Sequence, residues 1–186
     1  MLAYRSHGTE AAGIAATEMQ ALRTAIADAV GPKSRRRSVD LVMVMHSHHG
    51  HIDPQVQHFV RKILLLRRTI AKYPHYTTTV RAIASAHKLA RSHGTGPTLG
   101  SVYDKQPAVG PVSQLLRYLH KYGATLTIDL TIQKEAEMPI HLLTDPWQTL
   151  QVKAAELATQ ARGQMTAQRR CMGGQADIDT AILYAA

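Results

Sequence analysis

Asp53-Pro54-Gln55-Val56-Gln57-His58-Phe59-Val60-Arg61-Lys62-Ile63-Leu64-Leu65-Leu66-Arg67-Arg68-Thr69-Ile70-Ala71-Lys72-Tyr73-Pro74 is the stretch that decides the fold class. Phe59, Ile63, Leu66 and Ile70 recur every three or four residues, the repeat of one helix face, and Arg61, Arg68 and Lys72 fall nearly opposite. Asp53 suits an N-cap and Pro54 the first turn. Tyr73-Pro74 closes the helix, because proline restricts the residue before it and has no N–H to donate. The result is a packed helix with a basic outer face.

Working outward, Thr77, Thr78 and Thr79 offer caps for a helix over about Val80–Arg91, with Val80, Ile83, Ala84 and His87 inward and Arg81 and Lys88 in solvent. Three glycines and a proline in 93–100 make 92–110 the candidate internal boundary or flexible loop. Gly110-Pro111 opens a further helix with Val112, Leu115, Leu116 and Leu119 as its apolar stripe, Arg117 and Lys121 on its wet side and Gly123 as its stop. Alternation of Ala124, Leu126, Ile128, Leu130 and Ile132 with polar residues predicts a half-buried strand, whose partner is residues 142–144, residues 39–45 or another chain. Asp145-Pro146-Trp147 starts a last long helix, with Leu150, Val152, Ala155, Leu157 and Ala158 as its apolar content and Arg162 among its basic residues.

On the N-terminal side, the Ala-rich run from Glu10 to Val30 predicts a helix that turns Ile14, Leu22, Ile26 and Val30 to a core and ends at Gly31-Pro32. Arg35, Arg36 and Arg37 follow in an exposed basic loop. Val39–Met45 is apolar and β-branched, which fits a buried strand and a short buried helix equally. The chain therefore reads as one mainly α module over 1–186, a helical bundle with one or two short β-strands, with α+β as the alternative.

The 186 residues carry 22 Lys plus Arg against 13 Asp plus Glu, a formal charge of +9 that favours phosphate-bearing partners or an acidic surface. One Trp and one Phe leave an aliphatic core and few stacking rings, with Tyr to supply some. The single cysteine, Cys171, excludes an intrachain disulfide and a four-cysteine zinc site, and fits an intracellular, reducing compartment, nuclear or cytoplasmic. No apolar run reaches membrane-spanning length, and acidic residues near the N-terminus argue against an organellar presequence. Ser92-His93-Gly94-Thr95-Gly96-Pro97 lacks the phosphate-loop lysine and spacing.

The densest chemistry is His46-Ser47-His48-His49-Gly50-His51. Together with the apolar Val39–Met45 before it, this stretch resembles the metallo-β-lactamase-fold signature, in which an apolar strand runs into His-x-His-x-Asp-His and those residues hold zinc. That resemblance puts His46, His48 and His51 at ligand positions, with a metal-dependent hydrolase as the enzymatic alternative. Gly50 stands where the family has its acid, and the later ligands and β-rich layers have no counterpart. The plainer reading is a polar turn before the Asp53-Pro54 helix start, with no cofactor.

Tyr4, Gly8-Thr9-Glu10, Leu22-Arg23-Thr24-Ala25-Ile26, Asp53-Pro54, Arg67-Arg68, Gly110-Pro111-Val112 with Leu115-Leu116, and Gly173-Gly174 to Asp179 together resemble the region that follows the palm in non-LTR-retrotransposon-like reverse transcriptase proteins of protists, dinoflagellates especially. The resemblance implies a thumb or connector that holds RNA or DNA backbone or packs on the catalytic body of a larger polymerase-like protein. The catalytic aspartates would lie upstream, and no Tyr/Phe-x-Asp-Asp box occurs in this chain. The expected contacts to nucleic acid are Arg35, Arg36, Arg37, Arg61, Arg67, Arg68, Lys72, Arg81 and Lys88, with no catalytic residue and no membrane partner. A third reading is an assembly subunit whose 126–132 strand pairs across an interface.

Overall fold

The computed structural model describes residues 13–31, 38–46, 50–92, 110–135 and 137–168. The chain is mainly α. Among the described residues it forms six helices, α1 (Ala16–Val30), α2 (Val39–His46), α3 (Pro54–Lys72), α4 (Tyr76–Ser92), α5 (Pro111–Lys121) and α6 (Trp147–Gln168). The strands β1 (Ala124–Leu126), β2 (Thr131–Lys134) and β3 (Ile140–His141) form one antiparallel sheet in the order β1-β2-β3. Two compact units divide the chain, one containing the described residues of Ile14–Val60 and Val152–Ala186, the other Gly13 and those of Arg61–Gln151. Residues 93–109 of the expected boundary lie outside the described residues.

In the first unit, Val39–His46 is a helix, which removes the strand alternative. Ser38 decides it locally: its carbonyl accepts from Val42 N–H at 3.1 Å, its Oγ accepts from Leu41 N–H at 3.4 Å, and Asp40 lies in the first turn. A serine cap and an early acid satisfy the open amides of a helix start and its positive dipole end. Val42 and Met43 are buried with Ala27 of α1, and Ile26, Val39 and Ile52 pack around them. α1 starts at Ala16, residues 10–12 of the expected helix lie outside the described residues, and its buried line is Met19, Arg23 and Ala27, one step round from the expected face. Val30, expected inside, is 41% exposed.

Arg23 is inside because carboxylates meet it there. Its Nη2 donates to Asp40 Oδ1 at 2.7 Å, and its Nε donates to Asp53 Oδ1 at 3.2 Å. From α6, Arg162 reaches the same two acids, with Nη2 2.6 Å from Asp40 Oδ1 and Nε 3.0 Å from Asp53 Oδ2. It also donates to Gln55 Oε1. Asp53 caps α3 as the sequence predicts, accepting from Gln55 N–H at 2.9 Å. Arg23, Asp53 and Arg162 are buried and Asp40 is half-buried at the edge, its side chain 18% exposed, so two cations and two anions neutralise one another largely out of water. Arg162 is therefore a structural residue and not part of a basic surface.

In the second unit, Ile63, Leu66 and Ile70 of α3 are buried as their spacing predicts. α4 takes up the threonines expected to cap it: Thr77–Thr79 lie in its first turns, and Thr78 Oγ1 donates to His75 O at 2.8 Å. Val80 and Ala84 are buried, while Arg81 and Lys88 are exposed. α5 buries Leu115, Leu116 and Leu119 and ends before Gly123, whose φ of 72° is the left-handed stop that glycine adopts without strain.

The expected strand over 124–132 is instead a hairpin. Leu126 pairs with Ile132, and the three-residue loop Ile128-Asp129-Leu130 places Leu130 at φ 57°. Thr127 closes it: its carbonyl accepts from Leu130 N–H at 3.0 Å, and its Oγ1 accepts from Thr131 N–H at 3.2 Å. A left-handed leucine costs about 1–2 kcal/mol. Fully burying its side chain, as here, contributes about 1.5–3 kcal/mol, so burial wins. Ile128, at the tip, is 63% exposed. The partner of β2 on its other side is β3, next to the expected 142–144, and Leu142 N–H donates to Leu130 O at 3.1 Å.

Candidate nucleic-acid interface

Between Pro54 and Ser92 the sequence holds eight Lys or Arg and no Asp or Glu. That run forms α3, the turn after it and α4, so positive charge concentrates on two consecutive helices with no acid of their own. Among these cations Lys62 is buried, and its Nζ donates to Gln114 Oε1 at 2.7 Å. Arg61 is half-buried, and Arg67 turns its Nη1 to the carbonyl oxygen of Asp145, tying α3 to the start of α6. Arg81 is exposed but holds the hairpin tip, its Nε donating to Ile128 O at 2.9 Å. Lys88 is exposed one further turn pair along α4.

Arg68 and Lys72, four residues apart on one helix face, are both exposed, and each lies against an aromatic ring. The Arg68 guanidinium sits 5.6 Å from the centre of the Trp147 ring, and Lys72 Nζ sits 5.1 Å from that of Tyr73. At exposed sites such cation–ring contacts contribute about 0.5–1 kcal/mol and leave the charge available. Trp147 and Tyr73 are themselves 37% and 42% exposed.

Arg35, Arg36 and Arg37 lie outside the described residues, as does His48. His46 ends α2 and is exposed, and His51 is exposed before α3. Among the described residues no group of three His, Cys, Asp or Glu is placed to hold a metal ion. Gly50 has φ 73°, and a Cβ there would run into Val56 Cγ1 and come within 2.9 Å of Thr159 Oγ1. The position where the histidine signature needs an acid is thus shaped for a residue with no side chain.

The chain matches no protein-family model, no curated protein and no solved structure.

Elsewhere in the same unit, His87 of α4 titrates below the ordinary imidazole range, first because burial disfavours its charge and then because Arg117 is positive beside it. Burial also raises the Tyr118 hydroxyl. As pH falls below about 6.5 the unfolded chain binds the His87 proton before the folded chain does, so stability falls in that direction. Replacing His87 with Gln is expected to flatten the loss of stability as pH falls below about 6.5, read as the urea midpoint at each pH. An identical pH slope in the variant would rule out this assignment.

The basic stripe was readable from spacing alone. Its aromatic partners were not, because Trp147 comes from a helix far along the chain. Tyr73-Pro74-His75-Tyr76 did carry a signal, as a local concentration of rings at the end of a basic helix.

Proposed function

We propose that this chain is a nonenzymatic module that holds the sugar–phosphate backbone of RNA or DNA. In a larger reverse-transcriptase-like protein it would serve as a thumb or connector, handling template and primer beside the catalytic body. The observation that carries the reading is the pair Arg68 and Lys72, exposed a turn apart on an acid-free helix and steadied by Trp147 and Tyr73. Exposed cations on one face suit repeated phosphates, which contribute affinity without reading sequence. Among the described residues no helix is long and apolar enough to cross a membrane.

The sole tryptophan is Trp147, so its fluorescence reports directly on the ring beneath Arg68. Micromolar binding to labelled oligonucleotides is expected, with a change in that fluorescence and a steep loss of affinity as salt rises. Replacing Arg68 and Lys72 together with Ala should lower the slope of log K against log salt by about two for duplex DNA, since each phosphate contact contributes about 0.9. An unchanged slope would place the contact elsewhere, and no binding at low salt would end the proposal.

A further inference from the structure

The turn between α3 and α4 holds three rings together. Tyr73 and Tyr76 lie 6.0 Å apart at 70°, Tyr73 and His75 lie 6.1 Å apart at 62°, and His75 and Tyr76 lie 4.7 Å apart at 34°. Such edge and tilted contacts stabilise a ring cluster, yet Tyr73 and Tyr76 remain 42% and 45% exposed. The exposed part of each ring is open to a ligand.

Backbone hydrogen bonds brace the turn. Tyr76 N–H donates to Tyr73 O at 3.0 Å, Thr77 N–H donates to Pro74 O at 3.0 Å, and Pro74 fixes its own backbone angle. Rigid rings lose little freedom when a ligand lands on them. Lys72 adjoins the cluster over Tyr73, and Arg68 lies one turn back along the same face. An acidic peptide would satisfy the two cations but has no obligatory flat group for the rings. A duplex would satisfy the cations too, but its base faces are hidden in its own stack. An unpaired strand supplies both phosphates and free base faces.

We infer that the Tyr73–His75–Tyr76 turn stacks unpaired bases, so that this face selects single-stranded over duplex nucleic acid. The inference rests on the backbone-binding reading above and adds to it the state of the strand. Arg68 and Lys72 hold the phosphates, and Tyr73 and Tyr76 hold the bases that follow.

The test compares the full chain with a variant carrying Tyr73→Ala and Tyr76→Ala and another carrying Tyr73→Phe and Tyr76→Phe. Each is titrated by fluorescence anisotropy with an unstructured single strand and a duplex of equal phosphate number, in RNA and in DNA. The expected result is tighter binding of the single strand by the natural chain, and a loss of about tenfold per ring for single strands in the Ala variant, against a much smaller loss for the duplex, which feels only the release of Lys72 from Tyr73. The Phe variant keeps the rings and is expected to keep the preference. Equal affinity for the two forms, or an equal loss for both in the Ala variant, would overturn the inference while leaving backbone binding in place. Absence of binding to any oligonucleotide would overturn the functional reading itself.

Discussion

Replacing Asp53 with Ala is expected to lower the stability of the chain by about 3–5 kcal/mol, the cost of removing one member of a buried ion cluster and leaving its partners uncompensated. Arg23 and Arg162 both donate to this carboxylate, and both are nearly excluded from water. The same substitution removes the cap of α3, which by itself is worth about 0.5–2 kcal/mol. Because whole domains are stable by only about 5–15 kcal/mol, the variant should show a large fall in urea midpoint and a weakened near-ultraviolet signal. Replacing all four charged members by apolar residues of similar volume is expected to be far milder than losing Asp53 alone, since no buried charge is then left without a counterion. A loss under about 1 kcal/mol for Asp53→Ala would mean that the cluster is solvated and its members exchange partners freely.

The second large effect concerns Gly50. Substituting Asp there would complete the His-x-His-x-Asp-His spacing over 46–51, and it is the change that the histidine signature invites. The backbone at φ 73° and the contact with Val56 that any Cβ would make oppose it. The left-handed conformation and the overpacking together are expected to cost about 2–4 kcal/mol. Denaturation of Gly50→Asp with and without zinc checks this. A lowered midpoint that zinc does not restore is expected, whereas a metal-dependent recovery would show that the segment can close around an ion.

What could be read without coordinates followed from how local each cause is. Phe59, Ile63, Leu66 and Ile70 specify α3 because the periodicity and the Asp53-Pro54 start lie within the segment. Arg23 could not be read as buried, because the acids that neutralise it are 17 and 30 residues away. The hairpin escaped for a different reason. Its turn places Leu130, rather than glycine or asparagine, in the left-handed position, so the two-residue alternation runs through the bend without a break. At the candidate interface, Arg68 and Lys72 were visible as a helical stripe. The rings that steady and extend them come from the turn and from α6, which spacing along α3 does not report.

The bond between Arg162 and Asp40 spans 122 residues of sequence. On a ribosome adding about 5–20 residues per second, Arg162 appears several seconds after Asp40, Asp53 and Arg23 have been made. During that interval Arg23 has two acidic partners and the acids have one guanidinium between them, so the nascent segment carries an excess negative charge at its centre. The residues from Arg61 to Gln151 are meanwhile already synthesised. The cluster therefore closes only once Arg162, the last of its four charges to be made, has joined it.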